Sequence, residues 1–270
     1  MKLLMPENRL MVPRNRHLDL LGERDQRDAG VSEAEAKRLG FFAHELRNHL
    51  QTALLAFQVV KSGKVGMSVS TIGVLERSLR GMNDLINRSM SEVRLTAGVY
   101  HKERIRVADL IEEMEIVASM DATDRGIQFG VEHVDNELLV DVDRQLFASA
   151  ISNLLQNAIK FTRPSSQVWL RTRPQADRVL IEIEDQCGGL PPGATEALFR
   201  PFEQWGANRT GLGLGLAISR QAIEADGGKL SVRDIPGKGC VFIVEMPLAV
   251  GLPSLGPASP PARAPRVYSG

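Results

Sequence analysis

The sequence predicts an α+β protein: a helical hairpin forming a dimeric four-helix bundle, followed by an α/β sandwich with a helical layer on a mostly antiparallel sheet. Ile72, Leu79, Ile86 and Val93 recur every seven positions, the period of a helix packed along a seam. Beyond about Val107 the pattern changes to short strand-like runs, VWLRTRP, RVLIEIED, KLSVRDI and CVFIVEMPL. Glycine-rich loops and two longer helical runs, 143–161 and 213–226, separate them. The 270 residues, 43% hydrophobic and 24% charged, suffice for one medium domain or two small ones with a real core.

In chain order, residues 1–31 read as a lead-in: apolar patches such as MKLLM are broken by Pro6 and Pro13, and the charged run LGERDQRDAG follows. Residues 32–98 read as two helices, the first capped by Ser32 and Glu35, with a break near KSGKVGMS. At about 100° per residue, Leu39, Phe42, Ala43, Leu46, Leu50, Ala53 and Phe57 form the expected buried stripe of the first helix. His44, Asn48 and Gln51 fall on the opposite side, and His49 lies nearer the stripe, where it reads as structural. In the second helix Leu75, Met82 and Ser89 take the offset position of the seam. Two antiparallel helices alone make a thin core, so the hairpin is expected to pair with a second copy as a homodimer. Residues 104–249 form the α/β domain. The stretch 250–270, rich in Pro, Ala, Ser and Gly, is expected to be a disordered tail.

Composition excludes several classes. Lys plus Arg and Asp plus Glu both count 33, so no basic excess steers the chain to nucleic acid or an anionic membrane, and any phosphate chemistry is local. Cys187 and Cys240 make no disulfide framework and lack CxxC or Cys/His spacing for zinc. No run approaches the roughly 18 to 20 apolar residues that span a bilayer. A cytoplasmic protein without membrane insertion is the expectation.

Two sets of residues carry chemistry. On the first helix, in FFAHELRNHLQTALLAF, His44 offers an imidazole that is nucleophilic at neutral pH. Glu45 is a carboxylate able to hold the other ring N–H, and Asn48 is an amide one turn along the same face. In the α/β domain the helix DRQLFASAISNLLQNAIKFT places Asn153 and Asn157 one turn apart with Lys160 nearby, a set suited to Mg²⁺ and phosphate. Asp185 ends a predicted strand ahead of Gly188 and Gly189, where a carboxylate can accept from an adenine amino group. ALFRPFEQ contributes Phe199. Gly211, Gly213 and Gly215 in TGLGLGLAISRQ run into a helix start able to cradle phosphates.

AHELRNHL resembles the phosphoacceptor box of sensor histidine kinases of two-component systems. The second set, in order and spacing, resembles the N, G1, F and G2 boxes of their ATPase domain, a fold shared with Hsp90, DNA gyrase and MutL. The resemblance covers roughly residues 32–248. It implies that His44 is phosphorylated, Glu45 is its general base and Asn48 supports a phosphatase reaction. It further implies that Asn157 coordinates Mg²⁺ with Asn153 and Lys160 near the phosphates, that Asp185 and Gly189 serve adenine, and that Gly211, Gly213 and Gly215 belong to a mobile lid. Two positions depart from the family pattern: His49 stands where proline is usual, and DQCGG replaces Asp-Asn-Gly-x-Gly, putting Cys187 beside the base.

The implied function is an ATP- and Mg²⁺-dependent protein histidine kinase. It autophosphorylates on His44, donates to an aspartate of a response-regulator receiver domain on a separate chain, and answers to an upstream sensor protein. The alternative is a non-catalytic histidine phosphotransfer hub or scaffold of the same shape. An Hsp90- or gyrase-like clamp would lack its dimerising and transducer domains and would leave the His44 helix without a role.

Overall fold

The computed structural model describes residues 40–62, 69–132, 135–203, 213–249 and 266–268. The capping box at Ser32 and Glu35, most of the hairpin break and Gly211 lie outside them. The chain divides into two compact units, Met1–Leu85 and Ile86–Gly270, so the division falls within the second helix.

The first unit holds α1, residues 40–62, and the opening of α2, Val69–Ala97. Ala53 and Ala56 of α1 and Ser78 of α2 are buried, and small residues of this kind let two helices approach closely. His49 is half-buried over Gly81, where a Cβ would stand 2.4 Å from the imidazole Cε1. It therefore packs the hairpin, as its place near the stripe suggested. The stripe itself differs from expectation. Ala43, Leu46, Leu50 and Phe57 are exposed, Phe42 is half-buried, and Leu39 lies outside the described residues. The seven-residue series of α2 is exposed too, with Leu79 at 51% and Val93 at 62%. A single hairpin carries more apolar surface than one helix can cover, so the small residues take the seam and the large ones remain outside it.

In the second unit, β1 (Lys102–Arg106) pairs antiparallel with β3 (Leu139–Asp143) as a separate ribbon. A six-stranded sheet runs β6-β7-β5-β4-β2-β8, formed by β2 (Gln128–Val131), β4 (Gln167–Gln175), β5 (Arg178–Glu184), β6 (Lys229–Ile235), β7 (Gly239–Pro247) and β8 (Arg266–Tyr268). Among the described residues, the β2–β4 pairing in this sheet is parallel and the others are antiparallel. The helices α3 (Val107–Asp124), α4 (Arg144–Phe161), the one-turn α5 (Ala194–Ala197) and α6 (Gly215–Ala225) complete the unit. Phe129, Phe147, Ile151, Leu154, Ile181 and Ile183 are among the fully buried side chains of the core. This is the α+β arrangement the sequence predicts.

Two features depart from expectation. The polar KERIR and the short QFGV carry too little apolar alternation to be read as strands, yet both pair. Within the stretch expected to be disordered, Arg266–Tyr268 adds to β2 antiparallel. β2 otherwise presents a sheet edge, and Val267 and Tyr268 favour extended backbone. Among the described residues no helix is long and apolar enough to cross a membrane.

Candidate functional site

Each unit holds one group of candidates. On α1, His44 and Asn48 are exposed and Glu45 is half-buried. The Asn48 carbonyl accepts from Thr52 Oγ1 at 2.9 Å, a bond along the helix that leaves the Asn48 side-chain amide to other partners. The helix thus presents an imidazole to solvent with a carboxylate beside it in sequence and an amide one turn on.

The second group gathers where β5 meets β7. Asp185, only 3% exposed, follows β5, and its backbone N–H donates to the Cys240 carbonyl at 2.9 Å. Its Oδ1 accepts from the backbone N–H of Cys187 and of Cys240, both at 3.0 Å. Oδ2 accepts from the Cys240 thiol at 3.1 Å. Two backbone donors thus hold the carboxylate in place, and Oδ2 is the oxygen tied only by a weak thiol donor. The loop beyond is pinned along its length. Gln186 N–H donates to Thr162 Oγ1 at 3.2 Å, Gly188 N–H to the Lys238 carbonyl at 3.0 Å, and Leu190 N–H to Asp234 Oδ1 at 2.8 Å. Gly188 and Gly189 adopt φ of 99° and 96°, a region open to glycine at no steric cost.

α4 carries Asn153, Asn157 and Lys160. Its N-terminus is capped by Asp143, whose Oδ1 accepts from Leu146 N–H at 3.1 Å. Asn157 and Lys160 are half-buried, with the Lys160 ammonium 5.0 Å from the Phe161 ring centroid. Asn153 sits differently from expectation. It is buried, donates to Ser219 Oγ at 2.9 Å, and lies where a Cβ on Gly215 would come within 2.6 Å of its side-chain oxygen. Asn153 is a strut between α4 and the start of α6, and Gly215 is the residue that lets α6 approach it. Gly213, at φ 68°, turns the chain into α6, and its carbonyl accepts from Phe202 N–H at 3.1 Å. Phe199 also departs from expectation. It belongs to the core and lies under Arg220, 5.0 Å from the guanidinium carbon.

Sequence reading missed Thr162, Asp234, Gly239 and Cys240. A Cβ on Gly239 would come within 1.9 Å of the Asp185 carbonyl oxygen, so only glycine admits this crossing. The signal was the GKGC turn, but nothing local says which strand it faces. Cys187 and Cys240, 53 residues apart in sequence, bring their sulfurs to 3.7 Å. The hydrogen bond between the two sulfurs holds Cys187 below the usual thiol range. Cys240 is pushed far up by the Cys187 partner, its burial and the negative Asp185.

This donor set fits a purine nucleotide: a fixed buried carboxylate at a strand end, a glycine loop beside it, an amide-bearing helix, and a second helix that starts on glycines. Residues 142–250 match the family of histidine kinase-, DNA gyrase B- and HSP90-like ATPases. The alginate biosynthesis sensor protein KinB of Pseudomonas aeruginosa is 29% identical over 219 residues, covering 76% of this chain and 36% of KinB. The sensor protein KdpD of Mycobacterium tuberculosis is 28% identical over 241 residues, 84% of this chain and 28% of KdpD. Histidine kinase ThkA, solved in complex with response regulator protein TrrA, shares the fold with a TM-score of 0.56 at 21% identity, covering 88% of this chain and 68% of that one. Residues 142–250 thus match an ATPase domain of that family, and the chain is similar to sensor histidine kinases. It spans about a third of the length of KinB and of KdpD.

Proposed function

We propose that the chain is an ATP-dependent histidine kinase that phosphorylates itself on His44 and passes the phosphoryl group to an aspartate of a receiver domain on a separate chain. The observation that carries this reading is the buried Asp185, fixed by two backbone donors inside a matched ATPase domain, in a chain that also presents an exposed His44 next to Glu45.

Asp185 Oδ2 accepts from the adenine amino group, and Gly189 keeps the loop flat against the base. Asn157 would hold Mg²⁺ through its amide oxygen, Lys160 would balance phosphate charge, and Gly211, Gly213 and Gly215 would serve the phosphate side. A bound Mg²⁺ would supply neutralisation of the charge that develops in the transfer. A neutral His44 nitrogen attacks the γ-phosphorus, the bond to the bridging oxygen breaks, and ADP leaves. Glu45 fixes the ring tautomer and stabilises the imidazolium that forms. In a separate hydrolytic reaction Asn48 orients a water that takes the phosphoryl group from the phosphorylated ring, releasing inorganic phosphate. The exposed Ile72, Leu79, Ile86 and Val93 supply the face on which two hairpins form a homodimer. TrrA on ThkA supports a receiver domain as the acceptor, and an upstream sensor protein supplies the input.

Equilibrium binding of ATP with Mg²⁺ tests the nucleotide half. Asp185→Ala is expected to weaken binding by about ten- to a hundredfold, the worth of a hydrogen bond to a charged group. Binding equal to wild type in a folded Asp185→Ala variant overturns the assignment.

A further inference from the structure

We propose that Asp185, Cys187 and Cys240 form a site for a thiophilic divalent cation of the zinc class, and that filling it excludes the purine base from Asp185. The exclusion rests on the nucleotide reading above, whereas the site itself does not.

One oxygen of Asp185 and the two sulfurs all lie within 4.8 Å of one another. The sulfurs are 3.7 Å apart. Two thiolates bound to tetrahedral zinc at about 2.3 Å each stand about 3.8 Å apart, so the pair is already spaced as an edge of that tetrahedron. Asp185 Oδ2, 3.1 Å from the Cys240 sulfur, needs to open only by a few tenths of an ångström. The scaffold is fixed beforehand: Cys240 is the second residue of β7, its carbonyl is bonded to Asp185 N–H, and Oδ1 takes two backbone N–H groups that orient the carboxylate. Such outer partners tune and orient a metal ligand.

Charge explains why a buried cluster tolerates the ion. With both thiols protonated, the cluster carries the single negative charge of Asp185. Binding forms two metal–sulfur bonds and one metal–oxygen bond and releases the two thiol protons to solvent. Two thiolates, one carboxylate and one divalent cation again sum to a single negative charge, so the interior gains no net charge. Cys187 is half-exposed, which gives the ion a route in and leaves a fourth position for water. Soft sulfur donors select zinc or cadmium over magnesium, so the site does not compete with Asn157 for Mg²⁺. The ion takes Oδ2, the oxygen assigned to the adenine amino group, and two ligands cannot share it in the same direction.

The test is titration of the reduced, metal-stripped full chain with Cd²⁺, followed by the ultraviolet thiolate-to-cadmium absorption, with Zn²⁺ competition and proton release measured alongside. The expected result is one ion per chain and about two protons released. Cys187→Ser and Cys240→Ser should each weaken binding at least tenfold, with their folding checked by thermal unfolding. Saturating ATP with Mg²⁺ should weaken Cd²⁺ binding at least tenfold. Absence of thiolate absorption, or affinity unchanged by both serine variants, overturns the site. Joint binding of Cd²⁺ and ATP overturns the exclusion alone. A chain that binds Cd²⁺ through both cysteines but never binds ATP overturns the nucleotide reading and leaves the metal site standing.

Discussion

A side chain at position 239 would collide with the Asp185 carbonyl, and the crossing of β5 and β7 there is what sets the candidate nucleotide carboxylate in place. Gly239→Ala is therefore expected to destabilise the second unit by about 1–3 kcal/mol, as overpacking does, and to weaken ATP binding beyond what a surface substitution does. Denaturant unfolding and nucleotide titration of the same variant check both. Asp143 gives a pH prediction. Burial alone would raise its carboxyl, but backbone N–H groups of His101 and Leu146 and the nearby Arg94 outweigh that and hold it below the usual range. Its folded pKa is depressed, so its stabilisation is present above the usual carboxylate pKa of about 3.9 and is lost as pH falls through the folded value. Asp143→Asn, which leaves one N–H poorly matched, should cost about 1–3 kcal/mol at neutral pH. That difference should shrink in acid, and denaturant unfolding as a function of pH reads it directly. At this scale the sequence was legible wherever a motif is local. His44, Asp185 and the glycines could be proposed as candidates from their neighbours alone. The strut role of Asn153, the core place of Phe199 and the pairing of Cys187 with Cys240 depend on side chains from distant segments, and no local pattern records them.

Among the elements, α2 is the most informative. Its seven-residue period predicted a helix correctly, yet the series is exposed, because period identifies a face without saying what covers it. Ala53, Ala56 and His49 over Gly81 make the hairpin seam instead. If the outer face joins two copies, Leu79→Lys places a charge in the middle of a dimer core. It should weaken dimerisation at least tenfold while leaving the helical content of the chain intact. Sedimentation equilibrium with circular dichroism checks this, and an unchanged dimer would place the interface elsewhere. The strands show the opposite balance. VWLRTRP, RVLIEIED, KLSVRDI and CVFIVEMPL announce themselves by β-branched runs, whereas KERIR pairs as part of a partly exposed ribbon and Arg266–Tyr268 gains its structure from the edge of β2. Such elements owe their form to a partner more than to their own residues.

For the whole molecule, the two compact units divide the chemistry, with the candidate nucleophile in the first and the ATPase domain in the second. Neither alone accounts for a histidine kinase, whose product needs the nucleophile and the nucleotide together. The measurement that tests this most directly is incubation of the full chain with γ-labelled ATP and Mg²⁺, comparing wild type with His44→Ala and Asn157→Ala. Acid-labile, base-stable label is expected on the wild type, lost in His44→Ala because the acceptor nitrogen is gone and reduced at least a hundredfold in Asn157→Ala because the proposed metal ligand is gone. Label that persists at wild-type level in folded His44→Ala would contradict the account, as would a wild type that binds ATP as a dimer yet takes up none.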